Sequence, residues 1–203
     1  MIRSFPEYVK VPEKFEVKHV ELDSSKTALI IVDMQNAFSH ERGSLFVPES
    51  RKTIESIKRL LEKARTKNVT VIYTQDWHQK DDPEFGIWGR HAVAGSWEAE
   101  IIDELKPREE EIMVKKLRYD GFYGTYLDDL LRMRKIENLV ISGTVANICV
   151  LHTAGSAALR GYKIFIPIDC ISSLNEFDFI STLRQVTFLY RGVLTSSDLI
   201  SFI

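Results

Sequence analysis

The sequence predicts a three-layer α/β/α sandwich on a mostly parallel sheet. Three observations predict it. Compact β-branched runs alternate with amphipathic stretches from residue 26 onward, the order of repeated βα units. The first run, TALIIVD at 27–33, is continuously apolar, as a strand covered on both faces must be. Reactive side chains follow several of the runs, where ligands bind in open α/β sheets.

The first 25 residues hold two prolines and mixed charge without clean periodicity, and read as an arm (1–25) laid over a single domain (26–203). Phe5, Tyr8, Val9, Val11, Phe15 and Val17 are too many apolar groups for a solvated tail, so the arm is expected to pack on its own domain or on a neighbouring copy. After the first strand, Ser50 is expected to cap a helix over 50–67, where Ile54, Ile57, Leu60, Leu61 and Ala64 recur at helical spacing. Asn68 ends it, and VTVIYT at 69–74 follows as a second strand, completing a βαβ unit. Residues 75–98 form a long irregular segment that holds all three tryptophans and two of the five histidines. Loops of that length without structure of their own are usually functional or disordered. Strands are predicted at 111–115, 138–142 and 163–168, with a short sixth at 193–195, and helices near 126–135, 147–160 and 175–190.

Composition narrows the function. The chain has 203 residues, and its 44% apolar content can bury a sizeable core, which excludes disorder as the main state. A net charge of −2 gives no basic field to hold a phosphate backbone, so nucleic acid is not an expected partner. Apolar runs such as 28–32 are far short of the roughly 20 residues that span a bilayer, so no membrane partner is expected either. The N-terminus has no apolar signal region, and Cys149 and Cys170 do not suggest a disulfide framework. The expected compartment is the cytoplasm.

Four strand ends bring chemistry to one rim: Asp33 after the first, Asp76 and His78 after the second, Lys115 and Lys116 after the third, Cys149 after the fourth. Each has a plain alternative. Asp33 suits a loop start, Lys116 a solvated charge, and Cys149 a small core residue. Yet a helix N-terminus and a nearby lysine are also the features that lower a thiol pKa, and the three together suggest an activated nucleophile with a base and a cation. His152, one helical turn beyond Cys149, reads as a core or interface histidine. Asp76, His78 and His91 form a carboxylate plus two imidazoles, a set suited to Zn²⁺ or a similar divalent ion, although Asp-x-His alone also fits an exposed loop.

IIVDMQNAF around Asp33, KLRYDGFYGT from Lys116 and SGTVANICVLHTA around Cys149 resemble, in order and spacing, the isochorismatase-like cysteine hydrolases over about residues 26–198. That family includes nicotinamidases and N-carbamoylsarcosine amidases. The resemblance implies an Asp33, Lys116, Cys149 triad, with Lys116 rather than Lys115 because it precedes Arg118 and Tyr119 at the family's spacing. It also implies a cis peptide between Val145 and Ala146, an oxyanion hole from the backbone N–H groups of Ala146 and Cys149, and a metal (Zn, or Fe or Mn) on Asp76, His78 and His91, with Glu84 as a weaker fourth ligand. No organic cofactor is expected. Phe38, Trp88 and Tyr119 match positions lining the flat aromatic pocket of nicotinamidases, though each alone also suits a core. A shortened stretch between Lys116 and Tyr119, Ala146 where threonine is common, and Ala92 and Ser96 depart from the nicotinamidase pattern and bear on the choice of amide.

The expected activity is a cysteine-dependent amidohydrolase, nicotinamide to nicotinate and ammonia through a thioester. The alternative is an N-carbamoylsarcosine amidase or another hydrolase of small amides or ureido compounds. Isochorismatase chemistry ranks lower because Cys149 is present. A zinc hydrolase with Cys149 as bystander and a non-catalytic module on the same fold are the competing classes. The family also implies a homo-oligomer, dimer or tetramer.

Overall fold

The alternation that the first strand displays decides which side chains face which layer. In β2 (Thr27–Val32) every residue is buried. Ala28, Ile30 and Val32 join one apolar cluster, and Leu29 and Ile31 join the other. A strand with period-two geometry and both faces apolar sits in the middle of a sheet covered by helices on both sides. The computed structural model of this chain describes residues 8–12 and 14–203. Phe5 of the expected arm lies outside them.

β1 (Val20–Leu22) precedes β2; then come α1 (Asn36–Ser39), α2 (Pro48–Thr66), β3 (Thr70–Asp76), α3 (Phe85–Trp88) and β4 (Ile112–Lys116). The second half is α4 (Leu127–Met133), β5 (Asn138–Thr144), α5 (Leu151–Leu159), β6 (Lys163–Pro167), β7 (Ile171–Ser172), α6 (Glu176–Phe188), β8 (Val193–Thr195) and β9 (Ile200–Phe202). The main sheet runs β4-β3-β2-β5-β6-β8, with β7 paired to β5, and every pairing is parallel. The chain thus steps outward from β2 in one direction, then returns to its other side, which makes the β2–β5 boundary the switch point where such sheets bind ligands. Ile54, Ile57, Leu60 and Leu61 of α2 cover one face, while Leu127, Leu131, Ala154, Leu183 and Val186 of α4, α5 and α6 cover the other. No helix of the described residues is long and apolar enough to cross a membrane.

Several boundaries differ from the expectation for identifiable reasons. The helix begins at Pro48, whose missing N–H costs nothing in a first turn, and Ser50 is inside it, its hydroxyl donating to the Phe38 carbonyl at 3.3 Å. β4 extends to Lys116. The segment expected as one helix over 147–160 opens with a π turn, Ala146–Val150, before α5 begins. The cis peptide is one residue earlier than expected, at Thr144–Val145. The Val145 carbonyl accepts from the N–H groups of Ile148 (3.0 Å) and Val150 (3.2 Å), so the Val145–Ala146 peptide already belongs to the helical turn.

Two short strands had no periodicity to announce them. β1 pairs with β9, Val20 to Ile200 through Leu22 to Phe202, so residues 20–22 are joined to residues 200–202. Before β1, Val17 bridges Leu194 of the edge strand β8, and the Lys18 N–H donates to the Leu194 carbonyl at 2.9 Å. Phe15 packs against the core, while Tyr8 and Val9 are exposed.

Candidate active site

Parallel register brings the strand ends level. Val32 lies opposite both Thr74 and Gly143, and Asp76 lies opposite Lys116. Gly143 is required at that junction: its φ is +106°, and a Cβ there would lie 2.0 Å from the Val32 carbonyl oxygen. Asp33 leaves β2 in a left-handed conformation, φ 48°, with its side chain fully buried. Its carboxylate accepts from the Thr74 hydroxyl at 2.6 Å and pairs with the Lys116 ammonium at 2.8 Å.

Lys116 is the hub of the site. Strand alternation turns Lys115 outward, over the Trp77 ring at 3.7 Å, and Lys116 inward to full burial. Its Nζ pairs with Asp33 and with Asp76, donates to the Arg118 carbonyl at 3.1 Å, and lies 3.8 Å from Cys149 Sγ. Cys149 sits in the π turn after β5, and ligand atoms of Asp33, Asp76 and Cys149 lie within 4.8 Å of one another. The structure therefore gathers Asp33, Lys116 and Cys149 from three strand ends. Ala146 and Cys149 lie in this same turn, in which the N–H groups of Ile148 and Val150 donate to the Val145 carbonyl. His152 is exposed, its Nδ1 2.7 Å from the Ile148 carbonyl one turn earlier.

The electrostatics follow from burial. Desolvation, the largest influence on Asp33, raises its carboxyl above the usual range; Lys116 opposes this and the charge of Asp76 adds to it. Desolvation also works against the Lys116 ammonium, but Asp33, Asp76 and Cys149 outweigh it and hold the amine well above its usual pKa. For Asp76, burial pushes upward and Lys116 and His78 together pull the net direction downward. The Cys149 thiol moves the other way from the expectation drawn from its helix start and nearby lysine. Burial dominates, Asp33 and Asp76 add to it, and despite Lys116 the thiol is raised well above its ordinary value.

Beside the triad, ligand atoms of Asp76, His78 and His91 converge within 4.8 Å. Their orientation fits a cation. His78 Nδ1 is 3.0 Å from the Asp82 carboxylate and His91 Nδ1 is 2.8 Å from the Gly89 carbonyl, both pure acceptors, so each ring donates there and turns the Nε2 lone pair toward the partner ligands. His78 Nε2 is buried with no hydrogen-bond partner, and the nearest oxygen of Asp76 lies 3.8 Å away. A carboxylate and two such imidazoles form a three-ligand set of the kind that leaves a position open. Glu84 is buried in the wall of the same cavity, 3.6 Å from the Arg118 guanidinium, and desolvation raises its carboxyl.

The cavity itself holds about 230 Å³ and reaches from solvent to Cys149. Phe38, Trp88 and Tyr119 all line it, with Asp76 and Glu84 as its carboxylates and His91 as its imidazole. Trp88 Nε1 donates to the Tyr119 hydroxyl at 2.7 Å, joining the loop after β3 to the loop after β4. Among the described residues, none of those lining the cavity is lysine or arginine.

Several residues of the site escaped sequence reasoning. Thr74 is one; its place opposite Val32 in the register is the only signal that could have found it. Gln35 is another: its amide donates to the Asp76 and Ala99 carbonyls at 2.9 Å and accepts from the Asp76 N–H at 2.8 Å, clamping the strand end. Asp82, inside the charged stretch QKDDPE, carries no local mark of its burial.

The model of the isochorismatase domain matches residues 27–196. A ureidoacrylate amidohydrolase, RutB, of Agrobacterium fabrum is 36% identical over 207 aligned positions, covering 88% of this chain and 90% of that protein. The structure of N-carbamoylsarcosine amidase from Thermoplasma acidophilum superposes with a TM-score of 0.79 at 38% identity, covering 85% of this chain and 97% of that one. That of the pyrazinamidase of Pyrococcus horikoshii in complex with zinc superposes with a TM-score of 0.80 at 27% identity, covering 84% and 99%.

Proposed function

The chain belongs to the isochorismatase family of hydrolases acting on C–N bonds, and from that premise we propose that it is a cysteine amidohydrolase whose substrate is a small, neutral, planar amide such as nicotinamide. The observation that carries this reading is the cavity: apolar and aromatic walls ending on Cys149, with carboxylates and, among the described residues, no lysine or arginine in its lining. A ring amide stacks in such a space, and none of the described lining residues is a lysine or arginine that would pair with a substrate carboxylate.

In the proposed reaction the thiol proton of Cys149 passes to Asp33 as the sulfur attacks the amide carbon. The C=O electron pair moves onto oxygen, and the N–H groups of Ala146 and Cys149 stabilise that oxyanion. Lys116 stays protonated, holding Asp33 in place and balancing the charge that develops on sulfur. Collapse expels ammonia, which takes the proton from Asp33 and leaves a thioester. A water molecule then attacks the thioester carbon, Asp33 accepts its proton, and the departing thiolate of Cys149 recovers that proton as the acid is released. Asp76, His78 and His91 would hold a divalent metal, zinc as in the Pyrococcus pyrazinamidase or iron or manganese, which supplies a Lewis acid for orienting a ring nitrogen. We also propose a cytoplasmic homo-oligomer.

A second reading, hydrolysis of a ureido or N-carbamoyl compound, is favoured by the higher identities to the ureidoacrylate and carbamoylsarcosine enzymes. Ammonia release separates the two. Purified protein supplied with Zn²⁺ or Fe²⁺ is expected to hydrolyse nicotinamide and pyrazinamide. Turnover of ureidoacrylate or N-carbamoylsarcosine with neither ring amide consumed replaces the first reading with the second.

A further inference from the structure

The loop that carries the proposed metal ligands is not held by those ligands alone. Asp82 lies at its turn, buried, with both carboxylate oxygens engaged: one accepts from the Glu84 N–H at 2.9 Å and from Arg118 Nη1 at 3.0 Å, the other from His78 Nδ1 at 3.0 Å and from Arg118 Nη1 at 3.2 Å. Arg118 also pairs with Glu84 at 3.6 Å, so one guanidinium lies against two buried carboxylates. The same nitrogen donates to the Leu117 carbonyl. At its other end, the Arg118 backbone carbonyl accepts from Lys116 Nζ at 3.1 Å. Arg118 therefore touches the triad lysine through its main chain and the loop through its side chain.

We propose that Arg118 and Asp82 form a clasp that positions His78 for metal and ties the metal loop to the strand end bearing Lys116. The proposal rests on the metal set described above. An imidazole ligand needs its distal nitrogen fixed by an acceptor, and that acceptor must itself be fixed. Asp82 meets the first need and Arg118 the second. Without the guanidinium, Asp82 and Glu84 stay buried and lose the cation that each lies against, which favours opening of the loop and loss of the His78 orientation.

Zinc affinity tests this without reference to substrate. Zn²⁺ is titrated into the full chain in competition with a chromophoric chelator, for the wild type and for Arg118→Met, Asp82→Asn, Arg118→Lys and His91→Ala, with urea stability measured in parallel. The expected result is a Kd raised roughly 10- to 100-fold in Arg118→Met and Asp82→Asn, with Arg118→Lys in between. Asp82→Asn keeps the site's size and tests the clasp should Arg118→Met not fold. Variants that lose stability yet bind zinc as tightly as the wild type overturn the clasp while the metal set stands, provided His91→Ala binds weakly. A wild-type chain that binds none of Zn²⁺, Fe²⁺ and Mn²⁺ in the same titration overturns the clasp and the metal reading together.

Discussion

At the scale of single residues, burial decides what each group of the site does. Burial raises both the Cys149 thiol and the Asp33 carboxyl, whose atoms lie within 4.8 Å of one another, and Lys116 sits between carboxylates, so the path from sulfur to Asp33 is short and shielded from water. Cys149→Ser is expected to keep the fold and lower kcat at least 10³-fold, because a serine hydroxyl is a far weaker nucleophile at neutral pH than a cysteine sulfur. Steady-state ammonia release measures it. Asp33→Asn removes the proton acceptor and keeps the shape, and is expected to cost about 10²–10⁴ in kcat. Lys116→Met leaves Asp33 and Asp76 buried without their common cation. Urea denaturation is expected to show a loss of about 3–5 kcal/mol, the range for breaking a buried ion pair from one side.

At the scale of elements, the sheet is tied to α2 by a pair far from the cavity. Arg65, in the last turn of α2, donates to Glu111 just before β4 at 2.7 and 2.8 Å, both side chains being largely buried. Burial pushes the Glu111 carboxyl upward, but Arg65 and the Arg108 N–H outweigh it and its folded-state pKa is lowered. A lowered carboxyl contributes stability above its unfolded value, about pH 4.3, and loses that contribution as pH falls through the folded value. Glu111→Gln is thus expected to lose about 1–3 kcal/mol at pH 7 and distinctly less at pH 3, compared by denaturation of both proteins at each pH. An equal loss at the two pH values would show that the charge is not the source. The β2–β5 junction makes a sharper demand. Gly143→Ala adds a Cβ against the Val32 carbonyl at a left-handed φ, and is expected to destabilise by about 2–5 kcal/mol in the same assay.

At the scale of the whole molecule, β1 and β9 close the chain on itself, with Leu22, Ile200 and Phe202 all buried in the cluster beneath α2. Phe202→Ala, one residue from the end of the chain, is expected to cost about 3 kcal/mol, a core penalty rather than a terminal one. Phe177, Phe188 and Leu189 of the α6 region are exposed in the single chain, as is Leu174 at the cavity rim. Self-association is expected to cover part of this surface. Light scattering at micromolar concentration should give a multiple of 23.4 kDa, and a mass of one chain overturns the expectation.

What was legible in the amino-acid order is what depends on local periodicity, on residue type and on family resemblance. Residues 27–32 read as a doubly covered strand, the spacing in α2 as one apolar face, and Asp33, Lys115, Lys116 and Cys149 as groups that follow strands, while the choice of Lys116 over Lys115 came from the resemblance. Tertiary structure decided the rest. Parallel register set Thr74 against Asp33, and strand alternation sent Lys116 inward and Lys115 out. Burial, which no single residue encodes, reversed the direction expected for the Cys149 thiol and turned Asp82 from a loop charge into the acceptor that orients His78. The three-residue strands β1 and β9 exist because each pairs with a segment at the far end of the chain. Their physical cause is a contact between distant residues, and nothing in either short stretch alone requires it.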